Sequence, residues 1–178
     1  MKRDFNNNLN HGKVGESVVA KMFLEKGLQV LPVYDVQGNE NKGPRLYVNS
    51  GNLIAPDMLV FNNTSGCMWV EAKRKYSWTW HRNSQKHVTG IDYHHFRQYQ
   101  KVKQATSRKL WLMFAMDGGP DELGNPTKHG IWGGEISTLA ENYNHAYGGS
   151  KYGKGGMIYW NMEQLNLFDE RYPSNLEL

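Results

Sequence analysis

Apolar and polar positions along this chain switch between two periods, and the switches mark its elements. In "GESVVAKMFLEKG", residues 15–27, Val18, Val19, Met22 and Phe23 join Val14 on one broad face, predicting a helix that Gly27 stops. At about 100° per residue, Glu16 falls at the edge of that face, beside Ala20 and Phe23. "LQVLPVYDV" predicts a strand in which Pro32 demands an edge or a bulge. Residues 37–52, rich in Gly and Asn, predict a long loop carrying Lys42, Arg45 and Tyr47. "APDMLVFNNTSGCMWVEAKRK", residues 55–75, predicts two strands around a polar turn, and "YSWTWHRNSQKHVTG" fits neither period and predicts irregular chain.

"IDYHHFRQYQKVKQATSR" predicts a second helix with Phe96, Tyr99, Val102 and Tyr93 inward, Asp92 standing at its start. The continuous apolar run "KLWLMFAM" predicts a fully buried strand. Beyond a turn-rich connection, "IWGGEIS" and "GGMIYWNM" predict strands separated by the Gly-, Tyr- and Lys-bearing loop "NYNHAYGGSKYGKGG". A short helix at "MEQLNLF" and a loose tail, "DERYPSNLEL", end the chain. The order helix, three strands, helix, strand, then additions predicts one α/β or α+β domain over residues 1–178 with a mixed central sheet.

Three charges interrupt the hairpin. With "NNTSG" as its loop, Phe61 faces Cys67, Leu59 faces Trp69 and Asp57 faces Glu71, while alternation puts Lys73 on the face of Glu71. Met58, Val60, Met68, Val70 and Ala72 then point the other way, into the core. Facing carboxylates about 5 Å apart at Cβ repel one another. Lys73 offsets part of that repulsion, and a divalent cation with an oxygen shell offsets more, so the pattern fits a Mg²⁺ site at the sheet surface. An ordinary salt-bridged hairpin with its polar face in water is the competing reading.

Charge distribution sharpens the picture. The 178 residues carry a net +4, yet Glu71–Lys109 holds ten Lys or Arg against two acids, leaving the rest of the chain at −4. Tyr76, Trp78, Trp80, Tyr93, Phe96 and Tyr99 are interleaved with that charge, the footprint of a phosphate-backbone binder with stacking rings. A solvated basic face with its rings turned inward is the plainer alternative. A single cysteine excludes an internal disulfide and a multi-Cys zinc site, and no run is apolar enough to span a membrane or open a signal peptide. The expected compartment is the cytoplasm. No His pair has the i, i+4 spacing of a helical zinc site; His94 and His95 are adjacent and face different sides of their helix.

Pro56–Asp57, fourteen residues ahead of Glu71–Ala72–Lys73, resembles the signature of the PD-(D/E)XK nuclease superfamily. The helix carrying Gly15–Glu16 resembles the metal-binding first helix of its resolvase-like and exonuclease-like branches, and the basic helix and buried strand match the order of that core. The resemblance covers residues 13–116, leaving 117–178 as a C-terminal extension. It implies a restriction-endonuclease-like α/β core of order αβββαβ and a Mg²⁺- or Mn²⁺-dependent deoxyribonuclease of phage or prokaryotic type, structure-specific or resolvase-like.

By that resemblance Asp57 and Glu71 ligate the metal with Glu16 and the Ala72 carbonyl, and Lys73 orients the attacking water and stabilises charge on the phosphorane-like transition state. Tyr99 and Gln100 stand where related nucleases place an accessory polar residue. Arg74, Lys75, Lys101 and Lys103 are expected at the DNA backbone, or as solvated charges. Trp78 and Trp80 suit base stacking or the core equally. A homodimer is expected where two strands are cut. A non-cleaving DNA-binding module on the same fold and a protein-interaction domain with an incidental basic face stay open.

Overall fold

A computed structural model gives the structure of residues 5–33, 44–49, 51–64, 66–147 and 155–172, with side chains from Lys13 onward. Helix α1, Phe5–Glu25, starts ten residues ahead of the predicted start and ends as expected: Gly27 takes φ 76°, and the Leu28 N–H donates to the Phe23 carbonyl at 3.1 Å. Val19, Met22 and Phe23 bury one face of α1 against Met58, Val60, Val70 and Ala72. At Gly15 the helix comes so close that a Cβ would lie 2.9 Å from the Cβ of Arg74. That approach sets Glu16 beside the motif strand.

The central sheet contains β1 (Gln29–Pro32), β4 (Met58–Asn62), β5 (Gly66–Lys75), β8 (Leu110–Met116), β9 (Gly130–Glu135) and β12 (Asn166–Asp169), in the order β1-β4-β5-β8-β9-β12. Only β5 and β8 pair in parallel, so the sheet is mixed, and the order α1-β1-β4-β5-α2-β8 is the expected αβββαβ, with α2 spanning Tyr93–Thr106. Pro32 sits on the edge strand β1, where a missing N–H breaks no ladder. The hairpin register is the expected one: Phe61 faces Cys67, Leu59 faces Trp69, and pairing stops at Met58–Val70, one step short of Asp57 and Glu71.

The opposite face of the sheet is a second core, so the charged positions lie beneath packed elements and not on an open sheet surface. Leu59, Trp69, Leu110, Leu112 and Phe114 pack against Phe96, Tyr99 and Val102 of α2 and against Trp78, Ile91, Ile158 and Trp160. Both faces of β8 are therefore covered, which is why its sequence reads as an unbroken apolar run.

Other expectations change. Residues 37–52 are not all loop: β2 (Arg45–Val48) and β3 (Gly51–Ile54) form a hairpin whose Leu46, Val48, Leu53 and Ile54 join this second core, while Lys42 lies outside the described residues. The stretch expected to be irregular contains β6 (Thr79–His81) and β7 (Lys86–Asp92), which with β10 (His145–Tyr147) and β11 (Met157–Asn161) build a second sheet of order β10-β11-β7-β6. Gly90 obscured β7, yet it is required there: a Cβ would come within 2.7 Å of the Tyr159 ring that lies over it. Helix α3, Ile136–Glu141, takes over where the "IWGGEIS" strand was expected to finish.

The expected terminal helix is one 3₁₀ turn, Met162–Gln164, followed by the edge strand β12. Nor is the start of the tail loose. Tyr172 is buried against the α1 core, and its hydroxyl donates to Asp117. Among the described residues, no helix is long and apolar enough to cross a membrane.

Candidate active site

The site forms where β4 stops pairing and β5 continues. The Trp69 N–H donates across to the Lys109 carbonyl at 2.9 Å, toward β8, so by alternation the N–H and C=O of Ala72 point toward the β4 side. There the ladder has ended, and the Asp57 Oδ2 accepts the Ala72 N–H at 2.8 Å. One hydrogen bond thus fixes Asp57 at the strand end, and the Ala72 carbonyl points out beside it.

Glu71 is only 1% exposed. Its Oε1 accepts from the Tyr99 hydroxyl at 2.6 Å and from the Lys73 ammonium. Its Oε2 is buried and has no hydrogen-bond partner among the described residues. A buried carboxylate oxygen without a donor is costly, and proteins keep such an atom where a ligand or ion completes it. Helix α2 makes the arrangement possible. Asp92 caps it by accepting from the His94 and His95 N–H groups, and Phe96, Tyr99 and Val102 pack inward, so that Tyr99 meets Glu71.

Burial, then Glu71, pushes the Asp57 carboxyl well above the usual carboxylate range, against an opposing pull from Lys73. Glu16 is raised too, by burial with Glu71 adding to it, while Lys73 and Lys13 pull it down. Burial alone would lower Lys73, but Glu71, Asp57 and Glu16 outweigh it and hold the ammonium firmly protonated. Three carboxylates thus share one close cation. The donor set is all oxygen, its orphan oxygen is buried, and its carboxyl groups outnumber the neighbouring ammonium; all three suit a hard divalent cation. Among the described residues no group of three side-chain ligands stands ready. The chain therefore offers Asp57, Glu71 and the Ala72 carbonyl, with Glu16 coupled electrostatically, and leaves other positions to water and phosphate, as Mg²⁺ prefers.

The remaining predicted residues separate. Arg74 lies on the α1 face, its Nε donating to Asp117 at 3.0 Å. Lys75 follows Lys73 on the site face, half-buried, and burial together with Lys73 lowers its amine to about 8. Lys101 is exposed on α2, and Gln100 is half-buried there. Two expectations are corrected. Trp78 is 0% exposed, donates its indole N–H to the Lys128 carbonyl at 2.8 Å and meets Trp132 edge-on, so no base can stack on it. Lys103 reaches Ser137 and Glu135 and ties α2 to the β9–α3 corner instead of facing a phosphate. Trp80 stays half-buried, edge-on to His87.

Sequence reasoning missed two features. His95 stands one helical turn before Tyr99, close to the charged cluster; its i, i+4 spacing from Tyr99 was the available signal. Asp121 anchors the Asp117–His129 connection by accepting from the Leu123 and Asn125 N–H groups and from His87, which holds its carboxyl down at about 2.

No family model matches the chain, and no curated protein does. Among solved structures it is similar to Hjc of Archaeoglobus fulgidus, a Holliday junction resolvase from an archaeal hyperthermophile, at 6% identity and a TM-score of 0.51, covering 86% of this chain and 85% of that one. With the expected strand order, the expected hairpin register and Asp57, Glu71 and Lys73 gathered at one strand end, the chain has the restriction-endonuclease-like α/β fold of the PD-(D/E)XK nucleases.

Proposed function

We propose that this protein is a metal-dependent DNA endonuclease, resolvase-like in acting on branched DNA, built as a single nuclease domain and working in the cytoplasm. The observation that carries the proposal is Glu71: a buried carboxylate at a strand end, one oxygen held by Tyr99 and Lys73 and the other unpartnered, next to Asp57. Buried carboxylate oxygens are nearly always partnered; among the described residues the other bare one, Glu135 Oε1, faces the Lys103 ammonium at 3.6 Å.

Asp57, Glu71 and the Ala72 carbonyl would hold Mg²⁺ or Mn²⁺, which supplies Lewis acidity toward the scissile phosphate and a bound water of lowered pKa. The chain's own groups do the rest. The Ala72 N–H aims Asp57 and the Tyr99 hydroxyl aims Glu71, so neither carboxylate reorganises when substrate arrives. Lys73 is kept protonated by its acidic neighbours, and so it orients the attacking water and offsets charge on the pentacovalent phosphorus instead of removing a proton. Lys75 and Lys101 supply backbone contacts that fix register without reading sequence.

Purified protein incubated with labelled four-way junction, flap, duplex and single-stranded DNA should cut the branched substrates in Mg²⁺ or Mn²⁺ and none in EDTA. Asp57→Ala, Glu71→Ala and Lys73→Ala should each abolish cutting while circular dichroism shows a retained fold. Protein that shifts these DNAs in a gel but never cuts them would instead be a binding module on the nuclease fold.

A further inference from the structure

Among the described residues, the His95 ring has no hydrogen-bond partner. It is half-buried on α2, one turn before Tyr99 on the same side of the helix, with the two ring centroids 6.3 Å apart. Its backbone N–H is taken up by the Asp92 cap, but among the described residues neither imidazole nitrogen has a protein partner. The other half-buried or buried histidines in the described structure do have one: His81 bonds Ser84 and Tyr147, His87 bonds Asp121, and His145 bonds Asn144. Half-buried imidazole nitrogens that no described protein group takes are open to a ligand that reaches the charged cluster.

The surroundings define that ligand. Lys73 and Glu71 face His95 from β5, and Asp92, His94 and Tyr99 face it from its own helix. Burial first, then the Lys73 ammonium, holds the imidazole below its ordinary pKa, so it is neutral and offers one N–H donor and one acceptor. An anion carrying oxygen acceptors and resting against Lys73 would come within reach of that donor. An apolar group would leave the nitrogens without a partner.

We propose that His95 is a substrate-contacting residue of this site, donating an imidazole hydrogen bond to a non-bridging oxygen of the phosphodiester held beside Lys73. This rests on the nuclease reading above, but its test does not depend on cleavage. A bound phosphate adds negative charge next to the ring, so the imidazole's titration midpoint should rise on binding.

The test is NMR of the full-length protein with ¹⁵N-labelled imidazoles, in EDTA, titrated with a four-way junction carrying phosphorothioate linkages. The His95 signal is assigned by its loss in His95→Gln. The expected result is a shift of both ring nitrogens at saturating DNA and a midpoint raised by about half a unit or more. In parallel, His95→Ala should weaken junction binding in EDTA about 10- to 100-fold, the cost of one hydrogen bond to a charged group, and His95→Gln should recover most of the loss. A His95 signal unmoved by saturating DNA overturns the proposal, whatever the cleavage assay shows. So does a His95→Gln variant as impaired as His95→Ala, because the contact is then packing and not a hydrogen bond. Wild type whose ring shifts with DNA but which never cuts in Mg²⁺ or Mn²⁺ sinks the nuclease reading and leaves the contact standing. Protein that binds no DNA sinks both.

Discussion

Removing the charge of Asp57 should make the protein more stable while destroying its proposed activity. Asp57 and Glu71 stand one step past the last pair of the β4–β5 ladder, and Glu16 approaches from α1. Facing positions bring Cβ atoms to about 5 Å, where two like charges repel by about 3 kcal/mol at an effective dielectric constant near 20. Attraction to Lys73 offsets part of this, leaving Asp57→Asn about 1–2 kcal/mol more stable than wild type near neutral pH. The amide oxygen still accepts the Ala72 N–H, so geometry is retained while charge is lost. For a chain of this length the gain corresponds to about 2–8 °C in Tm.

Melting followed by circular dichroism in EDTA and low salt measures it. Because folding raises the Asp57 pKa, the wild-type penalty is present while the carboxyl is ionised and fades as pH falls through the folded value, so the two melting curves should converge on acidification. Mg²⁺ should close the gap from the other side by stabilising wild type more than the variant. An Asp57→Asn protein that melts at or below wild type in EDTA would show that the carboxylates are not in conflict, and the argument for a cation between them would fail.

Three further outcomes follow from the same structure. Trp78→Ala should cost about 3–5 kcal/mol in urea unfolding, as a buried ring and its bond to Lys128 are lost, while DNA affinity per folded molecule stays unchanged. His145 is lowered to about 4 by burial and by His81 stacked 3.8 Å away, so its neutral form stabilises the fold above about pH 6.5 and that stability is lost as pH falls toward 4. Wild-type Tm should therefore drop across that window more steeply than that of His145→Phe. Lys75, lowered to about 8, should react with acetic anhydride near pH 8 faster than the exposed Lys101, as read by peptide mass spectrometry, and bound DNA should protect it.

Local periodicity was enough to set the hairpin of β4 and β5, its register, the inward face of α2 and the Asp92 cap, because each depends on residues a few positions apart. It also placed Asp57, Glu71 and Lys73 at one strand end, since a register and a two-residue alternation dictate which side chains meet. What lay beyond it were contacts between elements distant in the chain. β6, β7 and β10 are short or interrupted by Gly90; β6 pairs with β7, and β11, distant in the chain, joins β7 to β10 with Trp160 packed into the core. Trp78 and Lys103 carry the residue types of a DNA surface, yet the Lys128 carbonyl and Glu135, each about 30 or more positions away, claim them. Tertiary structure alone decided that the charged face of β5 lies under a second core, that Tyr99 takes one oxygen of Glu71, and that the other is buried with no partner among the described residues. Burial is a property of what packs overhead, and no local pattern records it.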